Sequence, residues 1–309
     1  MEYSGFSEPL KHSKRKIIKF TLTALFIFLL IGCKEKGKEI THQRGEMTIW
    51  VDPANKNLIE ALTDVYRMKY PEVEFKFVYE PENIILRNLI NLKAEAAFIN
   101  KPLSREQENY IYQESTVKPR STLLAYDAVV FITGKSSSIE SVSLNEIKEG
   151  ILSGDSKFVF DDGNSGNFNT VKEVLNIELT EGQKVNSMEN AHQLIDFVNI
   201  SPGTIGIIGM NLISEKTNPK VREIRDRIKI LPVIDSTGKL QEPTVPNLLA
   251  FHYPFFKGVY FIVREPGFGI GSGFTRFAGS QQGQLIVGRE GLQPNFLYER
   301  QVQINNDPL

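Results

Sequence analysis

Few residues in this 309-residue chain are spaced to do chemistry, and most of those that come close lack one required partner. Gly134-Lys135-Ser136 offers the glycine, lysine and hydroxyl of a phosphate-cradling loop. That loop needs another glycine five residues before Gly134, and Val129 stands there. Gly267-Phe268-Gly269-Ile270-Gly271 approximates a dinucleotide turn, but no frame supplies the third glycine and no βα unit follows. Ser165 lies among glycines at the wrong spacing for a nucleophile elbow. His42, His192 and His252 have no zinc-ligand spacing, so each is expected to be structural or exposed. Asp161-Asp162 could be paired carboxylates or a metal site, although adjacent acids in a turn are usually just solvated. No enzyme signature survives, and neither a metal nor a cofactor is expected.

One segment keeps a chemical reading. Residues 161–167 form a small, polar, glycine-bearing turn between a strand end and a helix start. A helix N-terminus offers unpaired N–H groups and the positive end of its dipole, and small residues let a ligand approach the backbone. Asn164 or Ser165 could equally do no more than cap that helix. The turn alone allows both readings.

The elements that must position this turn alternate between strand and helix signals. Residues 48–51 read as a short strand, and Leu58, Ile59, Leu62, Val65 and Tyr66 as a helix face ending before Pro71. Strand 73–79 alternates, residues 84–90 form a second helix face, and 96–99 a buried strand. Ser104 with Gln107, and Ser143 with Glu146, have capping-box spacing and open two further helices, the second ending near Gly154. Strands are expected at 126–133, 158–160, 204–208 and 259–263, with helices following the 161–167 turn, at about 187–199 and near the C-terminus. Residues 222–229 read as a solvated, charge-rich face. Repeated βα units of this kind predict an α/β fold with a mainly parallel sheet.

Composition bounds the partners. With 36 basic and 37 acidic residues the net charge is -1, which excludes a basic nucleic-acid coat; one cysteine excludes a disulfide scaffold. The charge is uneven. Lys11, Lys14, Arg15, Lys16 and Lys19 precede an apolar run over 20–31 that is too short to span a bilayer and fits an export signal. The run ends Leu30-Ile31-Gly32-Cys33, which resembles the lipobox of bacterial lipoproteins and implies cleavage before Cys33 and acylation of its thiol. Residues 33–45 then read as a lipidated, charged tether. Without the +3 leader of residues 1–32, a chain of -1 becomes one of -4.

Several further segments occur in a suggestive order. Pro102-Leu103-Ser104 follows a short strand, and Tyr126-Asp127-Ala128-Val129-Val130 begins a long one. Residues 143–154 (SLNEIKEGILSG), Asn164-Ser165-Gly166-Asn167 and Gly203-Thr204-Ile205-Gly206-Ile207 come next. Tyr253-Pro254-Phe255 with Val259-Tyr260-Phe261-Ile262, and Phe277-Ala278-Gly279-Ser280 with Gly283-Gln284 and Gly291-Leu292-Gln293-Pro294, close the series. Together they resemble the phosphate-binding solute receptors of bacterial ABC transporters, the PstS-like branch of the type II periplasmic-binding-protein fold. The resemblance implies two α/β lobes, 46–126 plus 250–309 and 127–249, each a mainly parallel sheet flanked by helices, with a ligand cleft between them. Carried over by position, Asp52, Asn55, Asn100, Lys101, Asp127, Asn164, Ser165, Gly166 and Asn167 would line that cleft.

The sequence also departs from the family. Its Gly/Ser/Thr-rich first loop is here Val51-Asp52-Pro53-Ala54-Asn55, the expected arginine is Asp161, and the family threonine is Asn167. The resemblance implies a monomeric lipoprotein, anchored to an extracytoplasmic membrane face through Cys33, that captures phosphate or a related oxyanion for an ABC permease. The departures motivate an alternative, a protein of the same fold that lost the anion site and acts as a sensor or scaffold.

Overall fold

Segments rich in β-branched and aromatic residues alternate with amphipathic ones, and the chain folds accordingly into strands and helices that swap places along its length. The computed structural model describes residues 41–298 apart from 181 and 216; the leader and Cys33 lie outside the described residues. In chain order, β1 (Arg44–Val51), α1 (Lys56–Lys69), β2 (Glu72–Tyr79), α2 (Glu82–Ile90), β3 (Ala96–Ile99) and α3 (Arg105–Ser115) lead to the long β4 (Arg120–Gly134). Next come β5 (Val142–Ser143), α4 (Leu144–Ser153), β6 (Phe158–Phe160), α5 (Gly166–Val174), α6 (Ala191–Ile200) and β7 (Ile205–Gly209). The remainder is α7 (Pro219–Arg227), β8 (Ile228–Leu231), β9 (Val233–Ile234), β10 (Leu240–Gln241), α8 (Val245–Leu249), β11 (Phe256–Val263), α9 (Ile270–Ala278), α10 (Gln281–Arg289) and β12 (Gln293–Pro294).

The main sheet runs β2-β1-β3-β11-β4-β7-β6, with β8 and β12 also paired to β4. The pairs β1–β2, β1–β3 and β6–β7 are parallel, while β11 and β4 run antiparallel to their neighbours, so the sheet is mixed. Strand β4 joins its two ends: residues 120–128 pair with β11, and residues 129–134 pair with β7 and β8. Its second half is buried throughout and contributes Phe131 and Ile132 to a core that includes Phe160, Val198 and Ile207. At the other end, Ile49, Leu58, Tyr66, Phe261 and Phe274 fill one face of the sheet, and Ile85, Leu89, Ile99 and Ile111 the other. Covering both faces suits the near-continuous apolar character of β3 and β11.

Local chemistry sets the element ends. Ser104 and Ser143 both close reciprocal capping boxes, with Gln107 and Glu146, and Gly154 ends α4 in the left-handed region at φ 71°. Strand β4 starts earlier than its apolar pattern predicts because the polar Arg120-Ser121-Thr122 is held by its ladder to β11 rather than by its own alternation. Helix α6 starts later than expected because the Asn190 side chain accepts from Gln193 N–H at 3.0 Å. The charge-rich 222–229 stretch divides into the end of α7 and the start of β8. Between the two ends of the sheet the apolar core gives way to polar residues, where β1, β3 and β6 terminate at Val51, Ile99 and Phe160. In α/β folds, that carboxyl edge is where ligands bind.

Candidate functional site

Strand β1 ends in Val51, and the next residue, Asp52, is fully buried. Pro53 starts a tight turn whose Ala54 N–H donates to Asp52 Oδ1 at 2.9 Å. The other oxygen, Oδ2, accepts from the first N–H of two helices: Gly166 of α5 at 2.9 Å and Glu82 of α2 at 3.2 Å. A carboxylate is thus held where helix N-termini concentrate unpaired donors and positive potential. Gly166 is required by space as well, since a Cβ there would lie 2.4 Å from Asn100 Oδ1.

Around Asp52 the remaining polar groups are knitted together. Glu82 Oε2 accepts from Asn100 N–H at 2.7 Å, and Oε1 from Asn169 Nδ2 at 2.8 Å. Asn55 and Asn100 exchange amide hydrogen bonds at 3.1 and 3.4 Å, and Asn100 Nδ2 also donates to the Gly258 carbonyl. Lys257 Nζ lies 3.4 Å from Asp127 Oδ2 and donates to Asn167 Oδ1 at 2.7 Å. Asn167 Nδ2 passes the chain on to Asp161 Oδ2 at 2.7 Å, and Asp161 Oδ1 accepts from Ser165 Oγ at 3.2 Å. Asn211 N–H donates to Asp127 Oδ1 at 3.1 Å, and Asn211 Nδ2 to the Ala54 carbonyl.

The charge balance of this cluster is negative: Asp52, Glu82, Asp127 and Asp161 are buried with Lys257 as the buried cation. Burial raises the pKa of all four carboxyls. For Glu82 and Asp161 the neighbouring Asp52 charge adds to burial, and Asp161 is pushed up to about 7. Beside the cluster lies a cavity of about 570 Å³ walled by Asp52, Ala54 and Glu60 on one side and by Asp161, Gly209 and Asn211 on the other. Among the described residues no group of three His, Cys, Asp or Glu side chains is placed to hold a metal ion.

The residues picked out by position are placed unequally. Asp52, Asn55, Asn100, Asp127, Ser165, Gly166 and Asn167 come together in the network. Lys101 sits at its edge, its ammonium 3.7 Å from Glu173. Asn164 is exposed and contributes only its carbonyl, which accepts from Asn83 N–H at 3.4 Å. At the 161–167 turn Ser165 Oγ caps Phe168 N–H, as the capping reading expects, while Gly166 N–H donates to the chain's own Asp52 carboxyl group. Glu82, Asn169, Lys257 and Asn211 escaped sequence reasoning. Only Lys257 left a signal, a lone charge between Phe256 and the apolar 259–263 strand.

Comparison with known proteins places the chain. Residues 37–282 match the PBP superfamily domain. A structure of a candidate phosphate ABC transporter substrate-binding protein with bound phosphate, from Clostridium perfringens, aligns with a TM-score of 0.65 at 18% identity, covering 81% of this chain and 99% of that one. An ABC-type phosphate transport receptor from Vibrio cholerae aligns at 0.60 and 14% identity over 81% and 100% of the two chains. A candidate phosphate binding protein from Planctomyces limnophilus DSM 3776 aligns at 0.55 and 15% over 81% and 93%. At these identities the likeness concerns the fold. No curated protein matches the chain in sequence.

Proposed function

Because the chain belongs to the PBP superfamily, we propose that it acts by binding rather than catalysis, as a sensor or scaffold whose fold has replaced the bound anion with its own carboxylate. In this reading it is a lipoprotein tethered through Cys33 to the extracytoplasmic face of a bacterial membrane. Its lobes, 46–126 plus 250–309 and 127–249, meet around the polar cluster. The carrying observation is that Asp52 Oδ2 accepts from the first N–H of both α5 and α2, at 2.9 and 3.2 Å. An anion entering there would displace a satisfied carboxylate and meet Asp161, where repulsion costs about 1 kcal/mol per close pair in water and several in a drier cleft.

A second reading, a receptor that captures phosphate or a related oxyanion for an ABC permease, draws support from the ordered segments and from the likeness to the phosphate-bound Clostridium perfringens structure. It requires Asp52 to leave its three N–H donors when ligand arrives. Titration calorimetry of the protein with phosphate, sulfate and molybdate separates the two. No heat at millimolar anion is expected; saturable phosphate binding in the micromolar range would establish the transport reading instead.

A further inference from the structure

We infer that strand β2 is a docking edge for a second copy of this chain, with Phe75 meeting the partner's Phe75 on a twofold axis and Glu74 meeting the partner's Lys76. This surface does not depend on what the cleft binds, and it replaces the monomer that the family resemblance implies with a dimer. Strand β2 ends the main sheet and, among the described residues, pairs only with β1. The opposite end of the sheet is closed differently: Phe160 of β6 exchanges backbone hydrogen bonds with Asn186 and Met188 at 2.9 Å. Free edges are usually blunted by shortness, proline, a bulge or an unmatched charge. Strand β2 runs eight residues, Glu72–Tyr79, with no proline and no break in its register with β1. Its one cation, Lys76, stands on the same face as Glu74, two residues away.

The pleat sets which backbone groups face outward. Glu80 N–H, just past the strand, donates to the Val51 carbonyl of β1, whereas Val73 N–H turns the other way and is taken by the Tyr70 carbonyl. Alternation then leaves the N–H groups of Phe75 and Phe77 and the carbonyls of Val73 and Phe75 on the open side. A twofold contact is reciprocal, so odd-numbered residues meet across the seam as hydrogen-bonded pairs and even-numbered ones as the closer, non-bonded pairs. Charge fixes the centre, because like charges directly opposite are destabilising. An axis at Glu74 or at Lys76 sets a charge against its own copy, and an axis at Val73 or Phe77 sets Glu74 against a glutamate, Glu72 or Glu80. The axis at Phe75 instead sets Glu74 against the partner's Lys76, twice. The side chains suit the same seam. Phe75 and Tyr66 pack ring to ring at 5.8 Å, so α1 covers this face of β2. Beside the edge runs a groove of about 690 Å³ walled by Arg67, Met68, Pro71 and Val73, with Met68 80% exposed. The twofold axis brings the partner's matching groove against this one and gives that methionine an apolar neighbour.

The test is sedimentation velocity of the full chain in detergent over a range of protein concentrations, where a concentration-dependent dimer is expected. Lys76→Glu opposes like charges twice and should weaken the dimer about tenfold. Combining it with Glu74→Lys should restore the dimer. Position 74 lies directly across β1 from Glu46, which binds Lys76 at 2.6 Å in the wild type, so the exchange keeps an ion pair there. A second measurement reads the register. Oxidising a mixture of the Glu74→Cys and Lys76→Cys proteins should give a covalent dimer that neither forms alone, since facing non-bonded residues lie about 4.5 Å apart between Cα atoms, within disulfide reach. A chain that stays monomeric at every concentration overturns the inference. So does a Lys76→Glu variant that is folded by circular dichroism and associates like wild type, and so does a mixture that cross-links no better than either cysteine protein alone.

Discussion

Asp52 accepts hydrogen bonds from the backbone of three chain segments, Ala54, Glu82 and Gly166, and is the acceptor around which the polar cluster is built. Asp52→Ser leaves the Gly166 and Glu82 N–H groups without that acceptor, and each unsatisfied buried group costs about 1–3 kcal/mol. Urea unfolding should therefore show a loss of that order, and sulfate should now bind weakly and restore part of the stability. A variant as stable as wild type and still blind to sulfate would mean that Asp52 is not a stand-in for an anion. The neighbouring Asp161 predicts the pH dependence. Its pKa is about 7 in the fold against 3.8 for the free side chain, so between those values the folded chain holds a proton that the unfolded chain releases. Stability from this group is complete below about 3.8, falls as pH rises through the window and is gone above about 7. Asp52, Glu82 and Asp127 are raised by burial and act in the same sense. Unfolding midpoints should thus be higher at pH 5 than at pH 8, and Asp161→Asn should flatten the slope. An unchanged slope in that variant would assign the effect to the other three carboxyls.

At the scale of elements, the starts of α5 and α9, like that of α2, use the same device. Helix α5 presents Gly166 N–H to Asp52, and α9 begins where Glu265 accepts from the N–H groups of Gly269, Gly271 and Ser272. The glycine-rich 267–273 run thus serves close approach rather than a nucleotide: a Cβ on Gly269 would lie 2.3 Å from Glu265 Oε1. At Gly166 the obstacle is Asn100, whose side chain is tied to Asn55 and to the Gly258 carbonyl and cannot simply swing away. Gly166→Ala should therefore destabilise by about 1–3 kcal/mol, the usual range for overpacking, although alanine is otherwise the better helix former. A denaturation midpoint at or above wild type would show that Asn100 yields freely. What the sequence revealed divides along the same line. The capping boxes at Ser104 and Ser143, the Gly154 stop and the strands 96–99 and 158–160 were legible because each depends on residues a few positions apart. The first half of β4 was not, because a ladder to β11 more than a hundred residues away sustains it. Glu82 looks like an ordinary first-turn acid, and only its bond to Asn169, 87 residues on, reveals its part in the site.

For the whole molecule, the cluster spans the two ends of the sheet, and in the two-lobed reading proposed above it acts as their clasp. Strand β4 and the 253–255 segment carry the covalent connection, braced by Val129 N–H to the Phe255 carbonyl at 2.8 Å and the Tyr253 hydroxyl to the Val129 carbonyl at 2.9 Å. The other contacts across the cluster are non-covalent, among them Asp52 with Gly166, Glu82 and Asn83 with Asn169, Asn83 with the Asn164 carbonyl, Lys101 with Glu173, Lys257 with Asn167, and Asn211 with the Ala54 carbonyl. A net hydrogen bond contributes about 0.5–1.5 kcal/mol, and about twice that where one partner is charged. Carrying a two-state opening from almost wholly closed to almost wholly open takes about 5.5 kcal/mol. One broken bond is therefore too little and several are enough. Asn169→Ala alone removes the bonds to Glu82 and Asn83 and should leave the small-angle scattering profile that of the closed form. Adding Asp52→Ala removes the α5 anchor as well, leaves the Glu82 N–H without its acceptor, and should raise the radius of gyration measurably while both ends of the sheet keep their circular dichroism. Two wild-type scattering curves from the single and the double variant would place the closing force in the apolar packing along β4 and β11, and the buried charges would then be passengers of closure rather than its cause.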